Sequence, residues 1–413
     1  MNDVHFDEQS ESLFTLDEIF FSRTNEKGII NSGNSIFQRV SEYSWEELLN
    51  KPHNLIRHPD MPRGVFYLFW QIVKSGAPIS AYVKNRSKTG KYCWVFALAL
   101  PISDGYLSIR IKPSSTFLKV IETEYTKLVQ LEKNKNLSPK ESSEILLADL
   151  KALGFLDYRS FMVVTLKAEL ESRQKSLQRS PILVLTKLDE VLSSGQQLQM
   201  KAQEILKAYN ANARVPLNLE IKTTSIGNDG APLGVVASKY ESMAKDIRTE
   251  ILEFVKSSET TMSRISQAQF SVCMAWLESE VYALFSSDAN SGPVDIQREL
   301  QILSQIRNDG ITGVIQSLKQ VENEFSGFEI KCASLKTAST GLEIVRLTGK
   351  IEVSKINDRN GEIKLLMEEL TQFRQKLSVA LSGIEVFSKS LKSKTQELSR
   401  EISSAFEQDQ KST

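Results

Sequence analysis

Hydrophobic and polar positions change rhythm once along this chain. In the first hundred or so residues they come in short runs; afterwards they fall into long three- and four-residue steps. Ile19–Thr24 is rich in β-branched and aromatic residues and predicts a strand. Asn25-Glu26-Lys27-Gly28 reads as a turn, with Ile29-Ile30-Asn31 opening a second strand. Ser32-Gly33-Asn34 supplies an N-cap signal for a short helix through Ile36, Phe37 and Val40, and Ser44 caps another at Trp45–Leu49. Val65, Phe66, Leu68, Phe69, Ile72 and Val73 mark a longer helix that ends near Ser75 and Gly76. Residues 79–86 and 91–102 then alternate as strands around Ser87-Lys88-Thr89-Gly90, and Ser103-Asp104-Gly105 turns into a last strand, Tyr106–Arg110. In the second of these, Tyr92, Trp94, Phe96, Leu98 and Leu100 share one face, and Cys93, Val95, Ala97 and Ala99 the other. Both faces are apolar, so both are expected to be covered. The small residues on one leave room for a flat ligand or for a packed helix. The order predicts an α+β domain over 19–113, one curved antiparallel sheet with helices over one face, preceded by an arm over 1–18.

After Pro113 the pattern is helical. Phe117, Val120, Ile121, Tyr125, Leu128 and Leu131 begin a helical connector over 114–176, interrupted at 134–138 and near Gly154, with Ser138-Pro139 as a helix start. From Pro181 an amphipathic run predicts a long helical hairpin over 177–290, closed by a linker at 286–293. The rest, 294–413, reads as helical stretches at about 294–328 and 334–357, a break at Asn357–Gly361, and a final helix. In that helix Ile363, Leu370, Leu377, Ile384, Leu391 and Leu398 recur at steps of seven, with Leu366, Phe373, Ala380 and Phe387 in a second seam. Such a repeat predicts coiled-coil or bundle packing, between copies or within one chain.

Composition narrows the function classes. Across 413 residues, Lys+Arg and Asp+Glu both number 51, a net charge of zero that argues against a broad nucleic-acid or anionic-membrane surface. No apolar run reaches the roughly 18 residues of a membrane span. Three scattered cysteines and an acidic N-terminus without signal-peptide features point to the cytoplasm. No P-loop, Gly-x-Gly-x-x-Gly, HExxH or paired CxxC occurs, and all three histidines fall within the first 58 residues. An enzyme is not expected.

The segment from Pro52 to Pro62 carries the most chemistry. Three prolines stiffen it, it holds two of the three histidines, and Arg57, His58 and Asp60 give it polar side chains with which to grip a ligand. Trp70 follows on the helix. It can stack on a flat ring or simply pack in the core. Asn34 and Asn85 can donate to ring carbonyls, and Arg57 or Lys84 can meet phosphate.

Asn34, the run 52–62, Phe66, Trp70, Gly76-Ala77-Pro78, Val83-Lys84-Asn85-Arg86, Gly90, Trp94-Val95 and Gly105–Arg110 together resemble the PAS domain of Aer-type aerotaxis receptors over about 20–112. That resemblance implies non-covalent FAD binding and a redox or oxygen sensor. It makes Asn34, Arg57, His58, Asp60 and Trp70 the flavin-site candidates, beside Asn85. The sequence departs from the family at Ile79 and Ala81, where tryptophan and glycine are common. Some PAS domains hold haem, which makes His58 an alternative iron ligand.

A second resemblance covers Asn218, Ile221, Gly227, Gly230 and Val235-Val236-Ala237, whose spacing is that of the hairpin tip in chemoreceptor signalling domains. It implies contact with a chemotaxis coupling protein and histidine kinase. Lys222 and Ser225 stand where that tip has glutamate and arginine, however, and an ordinary helix–turn–helix accounts for the same punctuation. The expectation is a sensory protein, dimeric through its helical region, with a cofactor-free PAS scaffold as the competing reading.

Overall fold

The computed structural model describes residues 10–224, 230–287, 294–355 and 361–412, the side chains of 402–412 excepted. The first half of the expected arm, Ser225 and Gly227 of the expected tip, most of the expected linker and most of the break before the last helix lie outside the described residues. The chain divides into two compact units.

The first unit comprises residues 1–185 and 267–314. Its sheet has five antiparallel strands, β1 (Ile19–Thr24), β2 (Ile30–Gly33), β3 (Ile79–Arg86), β4 (Tyr92–Ile102) and β5 (Gly105–Ile111), in the order β2-β1-β5-β4-β3. Strand boundaries follow the alternation read from the sequence to within a residue or two. Helices α1 (Ser35–Ser41), α2 (Trp45–Leu48) and α3 (Arg63–Lys74) lie between β2 and β3. Asn34 caps α1 by accepting from the Phe37 amide, Ser44 forms a capping box with Glu47, and Gly76 stops the chain after α3 at φ +85°. The stiff 52–62 segment contains one 3₁₀ turn, His53–Ile56. Residues 10–12 pair with Tyr92 at the sheet, and Phe14 is buried against Phe20.

The helices do not stop at one face of the sheet. α4 (Phe117–Lys135), α5 (Pro139–Ala152) and α6 (Tyr158–Ser176) fold back on it. Tyr82 on β3 donates to Glu169 of α6 at 2.6 Å, and the same carboxylate accepts the Ser114 and Ser115 amides, clamping the exit from the sheet. Glu132 of α4 accepts the Arg63 and Gly64 amides and so supplies the cap that the N-terminus of α3 lacks locally. Phe21 of β1 packs edge-to-face on Phe285 near the end of α9 (Ala231–Ser286).

The second unit, 186–266 with 315–413, has only helices and short turns among its described residues. It takes in α7 (Leu183–Asn212), α8 (Val215–Thr224) and parts of α9, α10 (Ile296–Val353) and α11 (Glu362–Ser412). One expectation is corrected here: α10 runs unbroken where two stretches were anticipated. Phe325, Phe328, Cys332 and Leu335 are all buried at steps of three and four, so the apolar stripe carries the helix through 329–333. The heptad residues Ile363, Leu370, Leu377, Ile384, Leu391 and Leu398 of α11 are all buried. Beside them Phe373 and Ala380 are buried as anticipated, whereas Met367, Leu381 and Ser388 take the seam in place of Leu366 and Phe387. The partners are helices of the same chain: Tyr209 of α7 meets Phe373, and Glu329 of α10 pairs with Lys392, while α9 and α10 meet each other at Phe254 and Phe328.

Candidate cofactor cavity

Alternation sorts the strand residues onto two faces. On the face toward α3 and the 3₁₀ turn, Thr24, Val83, Asn85, Ala97, Ala99, Tyr106, Ser108 and Arg110 bound a cavity of about 190 Å³. Phe66, Phe69 and Trp70 of α3 form the opposite wall, with His53, Asn54, Ile56 and Arg57 along one side and Lys27 and Gly28 along another. Ala97 and Ala99 are the small residues whose face was expected to leave room; the space they leave is ring-sized. Trp70 stands edge-to-face to Tyr106 at 5.6 Å, and Gly28, at φ +75°, passes under the indole where a Cβ would sit 3.3 Å from Cη2.

The sequence candidates divide. Arg57, Trp70 and Asn85 line the cavity together. Asn34 does not; its amide donates to the Ile19 carbonyl and accepts from Phe21 and Phe37, tying α1 to β1. His58 and Asp60 lie outside the lining too. His58 Nδ1 accepts the Asp60 amide at 3.1 Å and faces the Asp60 carboxylate at 3.6 Å, with Lys84 also near that carboxylate. The side chains that sequence reasoning missed are His53, Ser108, Tyr106 and Arg110. The signal for the last three was available in the run Tyr106-Leu107-Ser108-Ile109-Arg110, where polar groups alternate with apolar ones on a strand.

The electrostatics of the cavity are one-sided. Its charged lining residues are Lys27, Arg57 and Arg110, and among the described residues no carboxylate lines it. Arg110 is buried; it donates to Ser22 Oγ (3.0 Å), the Ser108 carbonyl (3.2 Å) and His53 Nε2 (2.7 Å). Burial without a counter-charge brings its pKa down to about 9. Because guanidinium only donates, His53 Nε2 must accept, which fixes a neutral ring protonated at Nδ1. Burial, then the Arg110 and Arg57 charges, holds the His53 pKa well below the ordinary histidine value. Arg57 lies 3.5 Å over the Phe66 ring, burial lowers its pKa, and its Nε has no hydrogen-bond partner. Asn85 Nδ2, on the sheet face of the cavity, has none either. Two buried donors thus await an acceptor in a cationic, aromatic slot.

A five-stranded antiparallel sheet with short helices and a long helix over one such cavity defines a PAS domain. Residues 31–108 match the PAS fold family. The aerotaxis receptor of Escherichia coli (strain K12) is 38% identical over 117 residues, which are 27% of this chain and 23% of the receptor. The N-terminal domain is therefore a PAS domain with the aerotaxis receptor's sequence signature, and the chain spans less than a quarter of that receptor's length. Among solved structures, a PAS domain from Colwellia psychrerythraea matches at 18% identity and TM-score 0.20, covering 23% of this chain and 85% of its own. The light-state structure of the blue-light photoreceptor Aureochrome1 LOV matches at 17% and 0.23, covering 27% and 91%. No helix among the described residues is long and apolar enough to cross a membrane.

Proposed function

We propose that the cavity binds the isoalloxazine ring of FAD and that the chain is a non-enzymatic cytoplasmic sensor, reporting redox state or oxygen through its helical region. One observation carries this reading: a ring-sized aromatic slot with two unanswered buried donors, Arg57 Nε and Asn85 Nδ2, and no acid among its described lining residues. Flavin carbonyls suit those donors, and an electron-rich ring suits a cationic site with Lys27 and Arg57 on its walls. At about 190 Å³ the cavity is below the usual ligand-pocket range of ~300–1,000 Å³, so the ring enters and the rest of the dinucleotide stays outside it. Bound flavin supplies the redox chemistry. The chain's part is to stack on the ring, donate to its polar edge and exclude water.

Haem gains less support, because His58 lies outside the cavity and His53 Nε2 is engaged by Arg110. The helical region would act as a homodimer. Ile330, Ile344 and Ile351 on α10, and Leu365, Val379 and Val386 on α11, are exposed at steps of seven or fourteen, which supports docking of a second copy. Contact with a chemotaxis coupling protein or kinase is the less favoured output, since Lys222 pairs with Glu362 within the chain. The absorbance spectrum of the purified protein, before and after reconstitution with FAD, tests the reading. A flavin spectrum that bleaches on reduction is expected. A Soret band would point to haem, and a protein that stays colourless would leave a cofactor-free scaffold. Arg57→Ala and Trp70→Ala should each lower flavin content at least about tenfold, the loss of ~1.4 kcal/mol or more; unchanged content in both would sink the pocket assignment.

A further inference from the structure

Strand β1 carries the cavity's polar network on one face and a buried ion cluster on the other. Ser22, facing the cavity side, accepts from Arg110 at 3.0 Å and lies 3.1 Å from His53 Nε2. The next residue, Arg23, points the opposite way and is 5% exposed. Its Nε lies 3.2 and 3.1 Å from the two carboxylate oxygens of Glu299, and its Nη2 donates to Oε1 at 2.5 Å. Nη1 reaches Asp104, in the β4–β5 turn, at 2.7 Å, and Ser32 of β2 donates to Glu299 Oε2 at 2.9 Å. Glu299 is 3% exposed and belongs to the first turn of α10, the helix that continues into the second unit.

We propose that the Arg23–Glu299 ion pair is the latch through which the state of the cavity reaches α10, with Glu299 as a positioning residue rather than a cavity residue. The inference rests on the reading of the cavity as a flavin site. A change in the ring's charge or hydrogen bonding alters what Arg110 and His53 hold, and Ser22 is their shared partner on β1. Ser22 and Arg23 are consecutive, so displacing one moves the other. The Arg23–Glu299 pair is desolvated and bonded at several points, so it transmits displacement; a solvated pair would slip. Phe21, two residues before Arg23 on the same face, grips Phe285 at the end of α9. β1 therefore holds two of the helices that run on into the second unit, α9 and α10.

The test uses full-length protein, oxidised and dithionite-reduced, with hydrogen exchange followed in residues 280–286 and 296–310. In the wild type, reduction should change exchange at these amides at least about threefold. Glu299→Gln should keep the flavin spectrum and lose that difference. A yellow Glu299→Gln protein with the wild-type difference, or a yellow wild type with none, overturns the latch and leaves the flavin reading intact. A colourless wild type overturns both. Should Glu299→Gln not fold, Ser32→Ala removes one bond and leaves both charges. It should cut the difference at least about twofold, and an unchanged difference overturns the latch.

Discussion

Three acceptors, the Ser22 hydroxyl, the Ser108 carbonyl and His53 Nε2, surround the Arg110 guanidinium, and among the described residues no acid does. A buried cation without a counter-charge costs free energy in the empty protein and favours an anionic or electron-rich occupant. Arg110→Met should therefore raise the melting stability of the ligand-free protein by about 1–2 kcal/mol while weakening FAD binding at least about tenfold. Denaturation and FAD titration on the same variant check the opposed signs. His53 gives a pH signature. Its folded pKa is depressed, so below about 6.5 the unfolded chain takes a proton that the folded one refuses. Stability contributed by neutral His53 is present above 6.5 and is lost as pH falls, by up to about 1.4 kcal/mol per unit until the folded pKa is reached. Melts of the ligand-free protein from pH 7.5 to 5.5 should show this slope, and His53→Gln should flatten it. The Pro/His loop was legible as a ligand-gripping segment. Which histidine faces the cavity was not, because the 3₁₀ turn at His53–Ile56 sets the side-chain directions and has no sequence period of its own.

At the scale of elements, caps and alternation made the strands and short helices readable. Asn34, Ser44, Ser138 and Gly76 each act at the position where their chemistry was expected. What the sequence left open was the docking of α4–α6, which depends on pairings 50 to 90 residues apart that no local pattern encodes, such as Tyr82–Glu169 and Arg63–Glu132. Gly64 is the tightest of these junctions. A Cβ there would come within 2.4 Å of Ser142 Oγ and 2.5 Å of the Ser143 amide nitrogen, so α3 and α5 touch almost backbone to backbone. Gly64→Ala should cost about 2–3 kcal/mol in chemical denaturation and loosen α3, the helix that presents Trp70 to the cavity. Gly76→Ala has open space around it and only its φ to strain; it should cost about 1 kcal/mol and serves as the comparison.

At the scale of the molecule, a heptad repeat announces a seam and not its partner. α11 illustrates the difference, since Leu377 and Leu391 are buried while Val379 and Val386 on the same helix are 69% and 68% exposed. Helices α7 and α10 of the same chain pack along that seam, Tyr209 meeting Phe373 within it and Lys336 pairing with Glu385 at its solvent-exposed edge. The outward positions have no such account within one chain, and α10 repeats the pattern with Ile344 at 63% exposed. The two sets should separate experimentally. Leu391→Ala opens a cavity in the seam and should lower stability by about 2–5 kcal/mol without changing the sedimenting mass. Ile344→Asp with Val379→Asp leaves the seam intact, so stability of the monomer should change by less than about 0.5 kcal/mol each. The same pair places charge in the proposed contact and should convert a species of twice the 46.5 kDa chain mass into one of single mass. Sedimentation equilibrium on the wild type and both variants decides it. A wild-type protein already at single mass, or a double-aspartate variant still at twice that mass, would remove the second copy from the outward stripes and leave the α11 heptads a purely intrachain device.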